Sequence, residues 1–410
     1  MKSKFIILIV VIVYILHSCK SINTQGDGSV VEVMVGSNKV NVVLLNKVKS
    51  EIKTIPLSSL VEDFEIVQLE MHDDAVFHIS SYITITENYI GVRPISERYI
   101  LFDRSGKFIC AVGRRGGGPG EYQSFLSDDI IDEKNGLIYL APFFSNKILV
   151  YNTSGQFVNE FVAPQQMRDS QIFLSNDILT VVHTPRIIIR SNETINEADA
   201  MITQFDVNTG EVLKRFTPPA EHFILRQNGS DILSSRNTQG VFDFVPDYYT
   251  TSQYDTLYNV DVKTGEIIPV FTMDFYLTIA RDKPIFFQLN KSLFMSTLKK
   301  TQPAGYYVET DLIATDLNSK TSARVMIVND YFGNMDALPN SFHKRFKNGY
   351  YVYHIQPEDL IENIEKRLSE RNITETDRDV LTNKLSTLKE GTNNVVFIGK
   401  IRDEIETKLW

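Results

Sequence analysis

Four segments of this chain repeat one pattern, and this repeat constrains the fold more than any other feature of the sequence. In each segment an apolar run leads to an Asp or Asn, a Gly follows three or four residues later, and a second apolar run begins. The Asp or Asn side chain can bond the backbone amides ahead of it, and the Gly supplies the positive φ that ends the turn. Each segment therefore predicts a β-hairpin; the four are residues 99–108, 148–157, 202–212 and 257–267.

The spacing of the hairpins predicts how many structural units the chain contains. The turn glycines Gly106, Gly155, Gly210 and Gly265 are 49, 55 and 55 residues apart, which is close to the roughly 40 to 50 residues of known propeller blades. One hairpin in each interval implies four strands in each blade. Residues 60–402, without a helical insertion, divide into six such intervals. The sequence therefore predicts an all-β fold, a six-bladed β-propeller of four-stranded antiparallel blades.

A short helical insertion is predicted near the C-terminus, at residues 357–390. Pro357 suits a first helical turn, Glu358 and Asp359 suit the positive end of the helix dipole, and apolar residues recur on one face after them. A second periodic run begins after Thr376 and stops at Gly391. The pattern predicts a pair of helices.

Both ends of the predicted ring have the pattern of strands, at residues 64–69 and 395–401. A ring that takes strands from both chain ends into one blade leaves no open sheet edge. We therefore expect these two segments to lie in the same or adjacent sheets, in a single propeller domain of residues 51–410.

The amino terminus has the pattern of a secretory signal. Lys2 and Lys4 precede an apolar run, residues 5–16, that is too short for the roughly 20 residues of a membrane-spanning helix. Residues 16–19 resemble the lipobox of bacterial lipoproteins, in which the cysteine is lipidated and becomes the new N-terminus. We predict a lipoprotein signal peptide at 1–19, lipidation of Cys19, and a polar tether and lead-in at 20–50. The alternative is an ordinary cleaved signal.

Cysteine content and charge narrow the classes of partner. Cys19 and Cys110 are the only cysteines, so lipidation of Cys19 leaves Cys110 without a partner for an intramolecular disulfide. Because Cys110 lies within a strand-like run, it is interpreted as a small core residue rather than a nucleophile. The chain has 42 basic and 51 acidic residues, a net charge of -9, and no basic run outside the signal. This balance argues against a nucleic-acid ligand and against electrostatic adhesion to lipid. Membrane contact is predicted only through the acyl chains on Cys19.

Residues 113–122, Gly-Arg-Arg-Gly-Gly-Gly-Pro-Gly-Glu-Tyr, are the most distinctive ten residues of the chain. Five glycines and a proline indicate a tight loop whose backbone approaches something closely, and two arginines beside it could meet an anion. The alternative is a crossover between blades, with the arginines paired to a neighbouring blade and the tyrosine packed. No phosphate-binding or dinucleotide motif follows the run. The candidate ligand-binding residues are Arg114, Arg115, Gly117, Gly118, Glu121 and Tyr122.

This run resembles the G-x-x-G-x-G-P-G-E-Y signature of the 6-bladed β-propeller lipoproteins of Gram-negative bacteria. The resemblance covers most of the chain, including the lipobox, residues 56–60, the helical insertion and residues 394–398. It implies a propeller exported to the cell envelope as an outer-membrane lipoprotein, and it is nearly silent on function because the family is largely uncharacterised. The residues after Cys19 contain no acidic run, which favours an anchor facing the periplasm over surface display.

No catalytic or metal-binding motif stands out. The chain contains no Gly-x-Ser-x-Gly elbow, and its seven histidines include no pair at the i, i+4 spacing of a helical zinc site. His72 and His78 with two aspartates could gather a metal, but no metal and no cofactor is predicted. Asp128 and Asp129, near Asp132, are interpreted as part of a solvated turn; paired carboxylates facing a pocket could instead serve acid–base chemistry.

Two classes of function remain. The first is a binding or scaffolding module for a glycan, a peptide or a partner protein; the second is a hydrolase or lyase with its active site at the central channel. The lack of a recognisable catalytic constellation favours binding, although the fold alone does not decide. Polar side chains from several blades meeting at the channel would favour catalysis. An aromatic-rich segment could stack on sugars but is interpreted as core; its aromatic residues are Phe242, Phe244, Tyr248, Tyr249, Tyr254 and Tyr258.

Overall fold

The computed structural model describes residues 26–405, apart from several short segments. The segments outside the described residues are 79–80, 96–97, 124, 165, 169, 184–186, 191–192, 197–201, 217–229, 249–255, 262, 275–282, 302–306 and 340–343. The predicted signal peptide, Cys19 and the first part of the predicted tether also lie outside the described residues. Within the described part of the chain, no helix is long and apolar enough to cross a bilayer.

Six of the eight sheets that the described residues form are the blades of one ring, which confirms the predicted six-bladed β-propeller of four-stranded antiparallel blades. Blades 1 to 3 are each formed from one continuous stretch of chain, with their strands ordered from the ring axis outward. Blade 1 comprises β5 (Tyr82–Ile85), β6 (Tyr89–Arg93), β7 (Tyr99–Asp103) and β8 (Phe108–Val112). Two short strands, β9 (Arg114–Arg115) and β10 (Glu121–Tyr122), follow it. Blade 2 comprises β11 (Leu126–Asp132), β12 (Leu137–Pro142), β13 (Lys147–Asn152) and β14 (Phe157–Val162).

Blade 3 carries an extra hairpin between its second and third strands. Its four main strands are β15 (Gln171–Ser175), β16 (Ile178–Val182), β19 (Ile202–Asp206) and β20 (Val212–Phe216), and the extra hairpin is β17 (Ile187–Arg190) with β18 (Glu193–Asn196). Blade 4 contains β21 (Ser230–Leu233), β22 (Phe242–Tyr248), β23 (Thr256–Val260) and β24 (Ile267–Asp274). Blade 5 contains β25 (Lys283–Gln288), β26 (Leu293–Thr301), β27 (Tyr307–Asp316) and β28 (Thr321–Asn329), with the short β29 (Met335–Asp336) beside β28. Blade 6 contains β30 (Phe346–Lys347), β31 (Tyr350–Ile355) and β32 (Val395–Ile401).

The first four strands form no blade of their own. They are β1 (Val30–Val35), β2 (Asn38–Leu44), β3 (Ile52–Pro56) and β4 (Val61–Gln68). The β1–β2 hairpin joins the outer edge of blade 4, β3 joins the outer edge of blade 5 in parallel with β28, and β4 becomes the outermost strand of blade 6. We call residues 30–68 the N-terminal belt. The segment 20–50, predicted as a tether and lead-in, thus contains a hairpin that belongs to a propeller sheet.

Ring closure follows the predicted scheme. Strand β4 pairs antiparallel with β32 in blade 6, with Val61 opposite Ile401 and Gln68 opposite Val395. The sequence pattern predicts that these two segments lie in the same or adjacent sheets, and this prediction is confirmed because they lie in the same sheet. Because β32 sits between β31 and β4, its backbone is paired on both sides.

The predicted helix pair lies between the second and third strands of blade 6. Helix α1 (Pro357–Leu368) begins with proline in its first turn, and helix α2 (Glu375–Thr387) is capped by Thr374, whose hydroxyl accepts from the amide of Asp377. Leu360, Ile364 and Leu381 are buried against blades 5 and 6. The amphipathic face found in the sequence is therefore the face that packs on the ring.

Buried apolar side chains form one cluster at each seam between neighbouring blades. In the seam between blades 1 and 2, Tyr99 and Leu101 from β7 pack with Leu140 from β12 and Leu149 from β13. The other five seams have equivalent clusters, and the one between blades 5 and 6 also holds the helices. The core of the molecule is thus distributed around the ring rather than gathered at its centre.

The four repeated hairpin turns have the geometry that the sequence predicted. In blade 1, the carboxylate of Asp103 accepts from the backbone amides of Ser105 and Lys107 at 2.9 and 3.0 Å. The turn glycines all have positive φ, and the Cβ of an alanine at Gly106 would lie 2.5 Å from the carbonyl oxygen of Gln68 in β4. Each turn packs against the outermost strand of the preceding blade, and blade 1 in this way rests on the closing strand.

Candidate functional site

Charged side chains from four blades meet near the ring axis, beside the inner strand β11. Asp128 and Asp129 come from blade 2 and Arg93 ends the second strand of blade 1, while Arg236 follows β21 in blade 4 and Lys347 ends the inner strand of blade 6. We call these five residues the channel cluster. Both aspartates and Arg93 are less than 5% exposed, so the charges are held away from solvent.

Asp128 is the centre of the channel cluster. Its Oδ2 accepts from Arg236 Nη1 at 3.0 Å and from the backbone amide of Ile172 in blade 3 at 2.9 Å. Its Oδ1 lies 3.5 Å from Lys347 Nζ and 3.7 Å from Arg93 Nη1. One carboxylate therefore connects side chains or backbone of five blades across the axis.

Asp129 points to the other side of Arg93. Its Oδ1 lies 3.3 Å from Arg93 Nε, and its Oδ2 accepts from the hydroxyl of Tyr99 at 3.0 Å. Burial and the nearby Asp129 carboxylate raise the pKa of Tyr99 well above its usual range, so the phenol keeps its proton as a donor. Arg93 also donates to the backbone carbonyl of Ser127.

The protonation states of the channel cluster follow from burial and pairing. Burial alone would raise the pKa of Asp128, but Arg236, Lys347 and Arg93 together lower it to about 2. Burial lowers the pKa of Lys347 to about 8, against the opposing effect of Asp128. At neutral pH Asp128 is therefore a carboxylate and Lys347 is mostly an ammonium ion. Asp128 is ionised and has no proton to donate, so this carboxylate does not act as a general acid at that pH.

The interpretation of Asp128 and Asp129 as part of a solvated turn is wrong. Both residues lie within strand β11 and are buried, whereas Asp132 at the end of that strand does accept from Asn135 in the turn that follows. The error arose because a run of acidic residues is usually exposed, and the cations that compensate this pair are distant in sequence. A local signal did exist, because Leu126 and Ile131 on the same strand indicate a buried segment.

Aromatic side chains are exposed at the mouth of the channel, on the face where blades 1 and 2 begin their inner strands. Phe125 precedes β11, and Phe143 and Phe144 follow β12; their ring centroids are 4.2 to 6.0 Å apart. Phe144 is 60% exposed and Phe125 39%. The guanidinium of Arg168 lies 5.5 Å from the Phe143 ring. We call Tyr82, Phe125, Phe143 and Phe144 the aromatic rim.

Tyr82 connects the aromatic rim to the channel cluster below it. Arg93 lies 4.6 Å from the Tyr82 ring centroid, and Lys344, at the start of blade 6, lies 5.0 Å from it. Arg93 also donates to the carbonyl of Leu126, the residue after Phe125. Aromatic rings and cations therefore lie in contact in this part of the molecule, a combination that suits apolar and anionic groups of a ligand.

The glycine-rich run forms the crossover from blade 1 to blade 2. Strands β9 and β10 pair in parallel, which places Arg114 beside Glu121 and Arg115 beside Tyr122. Tyr122 is buried between the blades, where its hydroxyl accepts from the Tyr99 amide and donates to the Val112 carbonyl.

Glu121 accepts from the Gly118 amide and so holds the glycine-rich loop in shape. The side chains of Arg114 and Arg115 are exposed, as are Gly117 and Gly118. Ligand binding by this set of residues stays a prediction, and the packed Tyr122 matches the alternative of a crossover between blades.

Other sequence candidates lie in the core or away from the aromatic rim. Phe242 and Phe244 are fully buried and Tyr258 stacks on Phe244, whereas Tyr249 and Tyr254 lie outside the described residues, as does the side chain of Tyr248. The His72 ring stacks on Phe108, and no group of three His, Cys, Asp or Glu side chains in the described residues is placed to hold a metal ion. Burial raises the pKa of Cys110 to about 11, so its thiol is protonated at neutral pH.

Comparison with known proteins identifies similar folds and a family. The chain is similar to the crystal structure of a "Putative exported protein" from Bacteroides fragilis NCTC 9343, with 14% identity over 86% of this chain and 100% of that chain and a TM-score of 0.54. It is also similar to a member of the duf4221 family from Bacteroides vulgatus, with 11% identity over 84% and 98% of the two chains and a TM-score of 0.45. No curated protein matches the chain. Residues 40–400 match the family described as a domain of unknown function, DUF4934, and the chain therefore belongs to this family.

Proposed function

We propose that this chain is an exported, lipid-anchored propeller that binds a partner protein on the aromatic rim. The observation that carries the proposal is the exposure of the rim: Phe125, Phe143 and Phe144 form a contiguous aromatic surface at the channel mouth, and Phe144 is 60% exposed. Contiguous exposed aromatic side chains mark interaction surfaces on soluble proteins. The loops of a propeller meet on this face, where a ligand can contact several blades.

The chemistry of the aromatic rim favours a protein over a glycan. Phenylalanine has no polar tip to bond a sugar hydroxyl, whereas aromatic residues and arginine are enriched in the centre of protein interfaces. Three of the four rings in the rim are phenylalanines, and Arg168 lies against one of them. A partner that inserts apolar side chains between these rings fits better than a sugar.

The charge around the aromatic rim favours an acidic partner segment. The chain as a whole carries a net charge of -9, yet the side chains that lie against the rim rings are cations: Arg168, between blades 2 and 3, lies against Phe143, and Arg93 and Lys344 lie against Tyr82. Cations at the edge of an apolar surface steer and orient an acidic partner. We therefore infer a partner segment that combines apolar side chains with Asp or Glu.

Export and anchoring rest on the N-terminal sequence and on one similar structure. The signal pattern of residues 1–16 and the lipobox at Cys19 support transport and lipidation. The similar Bacteroides fragilis protein carries the description "Putative exported protein". We propose the outer membrane as the site of anchoring, with the propeller facing the periplasm.

Selection from a random peptide library on the immobilised full chain tests the partner class. We expect enriched peptides that combine acidic and apolar residues, and we expect the double variant Phe125→Ser with Phe144→Ser to lose at least tenfold in affinity for them. The matched control is Val158→Ser with Val162→Ser, which changes two exposed apolar residues on the outer strand of the same blade. Equal binding to wild type and the rim variant would refute the proposal, and binding of glycans in place of peptides would assign the rim to sugar.

Metabolic labelling with a fatty acid tests the anchor. The full chain should incorporate the label and fractionate with outer membranes, whereas Cys19→Ser should do neither. Substitution of the other cysteine, Cys110→Ser, is the control and should leave both results unchanged. Labelling of Cys19→Ser, or a soluble wild-type chain, would contradict the proposed anchor while leaving the rim proposal untouched.

A further inference from the structure

The N-terminal part of the chain reaches the propeller at its outer edge, where blades 4 and 5 meet. A Cβ atom at Gly26 would lie 2.4 Å from the carbonyl oxygens of Ser319 and Lys320, so the chain packs closely on the turn between β27 and β28. Residues 20–25 separate Gly26 from Cys19, and an extended chain of this length spans at most about 25 Å. Acyl chains on Cys19 would therefore hold this edge of the ring close to the membrane.

The belt is locally basic at this edge, although the chain as a whole is acidic. Residues 38–56, which contain β2 and β3, carry four lysines and one glutamate; the lysines are Lys39, Lys47, Lys49 and Lys53. Lys47 and Lys49 are exposed in the connection between the two strands. The glutamate, Glu51, accepts from Lys53 at 2.7 Å. One carboxylate for four ammonium groups leaves a surplus of positive charge on this surface.

Large apolar side chains are exposed beside these lysines. Ile52 on β3 is 64% exposed, the highest value among the large apolar side chains of the described residues, and Met326 on β28 is 47% exposed. The two strands pair in parallel, with Met326 opposite Thr54. Because side chains alternate along a strand, Ile52, Thr54 and Met326 lie on the same side of the sheet. Ile55 and Ile327, on the other side, are buried.

Lys320 connects the entry point of the chain to this surface. Its Nζ atom bonds Glu32 Oε1 and Asn41 Oδ1, which face each other on β1 and β2. The next residues on that side of the hairpin are Met34, which is 56% exposed, and Lys39 opposite it, whose side chain is 70% exposed. Exposed apolar side chains and lysines are thus contiguous with the turn on which Gly26 packs. Such a combination suits a membrane surface, because lysines attract anionic headgroups and apolar side chains enter between them.

We propose that the outer edge of blades 4 and 5 lies on the membrane and contacts anionic lipid headgroups. The inference rests on the lipid anchor proposed above and adds the side of the ring that faces the membrane. The net charge of the chain predicts contact only through the acyl chains, whereas the local charge at this edge predicts a second contact. Blades 1 and 2 lie across the ring from blades 4 and 5, so the aromatic rim is turned away from the membrane, toward a partner in the aqueous phase.

Fluorescence quenching on the lipidated full chain tests this orientation. The chain is bound to vesicles of phosphatidylcholine and phosphatidylglycerol that contain a lipid with a nitroxide on its headgroup. One fluorophore is attached at Ile52→Cys, and the other at Val158→Cys, which is 53% exposed on the outer strand of blade 2. Both chains also carry Cys110→Ser, so that each has one reactive thiol. We expect severalfold stronger quenching of the Ile52 probe than of the Val158 probe.

Lysine substitutions test the electrostatic part of the contact. Lys47→Gln with Lys49→Gln should weaken it about fivefold for each lysine and so reduce quenching of the Ile52 probe. Omission of phosphatidylglycerol should have the same effect. The matched control is Lys107→Gln with Lys134→Gln, two exposed lysines in the turns of blades 1 and 2, which should leave the quenching unchanged.

The outcomes separate this inference from the proposed anchor. A chain that stays in the supernatant when the vesicles are pelleted would refute the anchor and this inference together. A chain that pellets with the vesicles while its two probes are equally quenched would overturn this inference alone. Quenching of the Ile52 probe that is unchanged in Lys47→Gln with Lys49→Gln would also overturn it, because anionic headgroups would then not be what this edge contacts.

Discussion

Blades 1 to 3 and blades 4 to 6 are built in different ways. Each of the first three blades takes its strands from one continuous stretch of chain, whereas each of the last three carries, at its outer edge, a strand of the N-terminal belt. The side chain of Asn41 in β2 bonds the carbonyl of Val270 in β24, 229 residues further along the chain. We call blades 1–3 the local half and blades 4–6 the wrapped half. The wrapped half is completed only by contacts between the two ends of the chain.

The channel cluster ties the two halves together at the axis. Arg93, Asp128 and Asp129 belong to the local half, and Arg236 and Lys347 belong to the wrapped half. The outer edge of the wrapped half is therefore held by backbone pairing to the belt, while its inner edge is held by buried charges. The following predictions separate these two contributions.

Removal of the central carboxylate should have the largest effect. Asp128→Ala leaves Arg236, Arg93 and Lys347 buried without their shared partner, and loss of one member of a buried ion pair costs about 3 to 5 kcal/mol. We expect a loss of this size in the free energy of unfolding, measured by urea denaturation. Asp132→Ala, at the end of the same strand, is the control and should cost less than about 1 kcal/mol. Equal losses in the two variants would show that the channel cluster does not tie the halves.

Alanine at the turn glycines tests the closing seam. Gly106 in blade 1 packs on β4, where a Cβ would lie 2.5 Å from the carbonyl oxygen of Gln68, whereas at Gly210 in blade 3 the nearest atom would be 3.6 Å away, on Phe161. Both have positive φ, so both variants carry about 1 to 2 kcal/mol of backbone strain. Gly106→Ala should cost about 1 to 3 kcal/mol more, because the closing strand must shift. Similar losses of unfolding free energy for both would mean that the seam adapts without cost.

The sequence predicts the local half better than the wrapped half, for a physical reason. A hairpin turn needs an Asp or Asn and a Gly within a few residues, so the pattern is visible in blades 1 to 4. In blade 5 the equivalent turn has no glycine, and Lys320 occupies the positive-φ position with φ 55°. In blade 6 the outermost strand is β4, which comes from the other end of the chain. The third and fourth strands are therefore not joined by a hairpin turn that the sequence could show. The count of six rested on length rather than on six visible repeats.

Long-range contacts account for what the sequence analysis missed. The pairing of β2 with β24 is parallel and joins distant segments, so nothing near residues 38–44 marks them as part of blade 4. Asp128 and Asp129 were misread for the same reason, because Arg236 and Lys347 lie 108 and 219 residues away from Asp128. The rings of Phe143 and Phe144 reach the surface because these residues follow the last residue of β12. The local sequence pattern does not show where β12 ends.

Buried histidines should give each half a similar sensitivity to acid. Burial lowers the pKa of His183 in the local half to about 3 and that of His354 in the wrapped half to about 4, against an ordinary value of 6.5. Both are neutral when folded and protonate below about pH 6.5 when unfolded, so their contribution to stability is full above that pH and falls as the pH falls. When the pH falls from 7 to 5.5, protonation of each histidine in the unfolded chain should lower the free energy of unfolding by about 1 kcal/mol.

Glutamine at each histidine assigns this loss to a half. His183→Gln and His354→Gln should each flatten the pH dependence of the unfolding free energy by about 1 kcal/mol between pH 7 and 5.5. The double variant should show both reductions, because the two sites lie in different seams. A wild-type curve that is flat in this range would contradict the expectation, and a slope that survives in the double variant would assign the acid sensitivity to other groups.

The contact between the belt and blade 5 should give the smallest effect. Lys320 Nζ bonds Glu32 Oε1 in β1 and Asn41 Oδ1 in β2, both at 2.8 Å, and the bond holds the pKa of Glu32 below its ordinary value. Because Glu32 is 44% exposed at its side chain, Lys320→Met should cost only about 0.5 to 1 kcal/mol. Amide exchange should nevertheless become faster across residues 30–44, since the hairpin keeps its pairing to β24 and loses its tie to blade 5.

The equivalent turn of blade 4 supplies the control for this contact. Lys263 is exposed there, and Lys263→Met should leave exchange in residues 30–44 unchanged. If both lysine variants leave that exchange unchanged, β24 alone holds the belt hairpin. In that case the Lys320 contacts between the β1–β2 hairpin and blade 5 are not needed to keep the belt in place. Each belt strand would then stabilise only the blade with which it pairs.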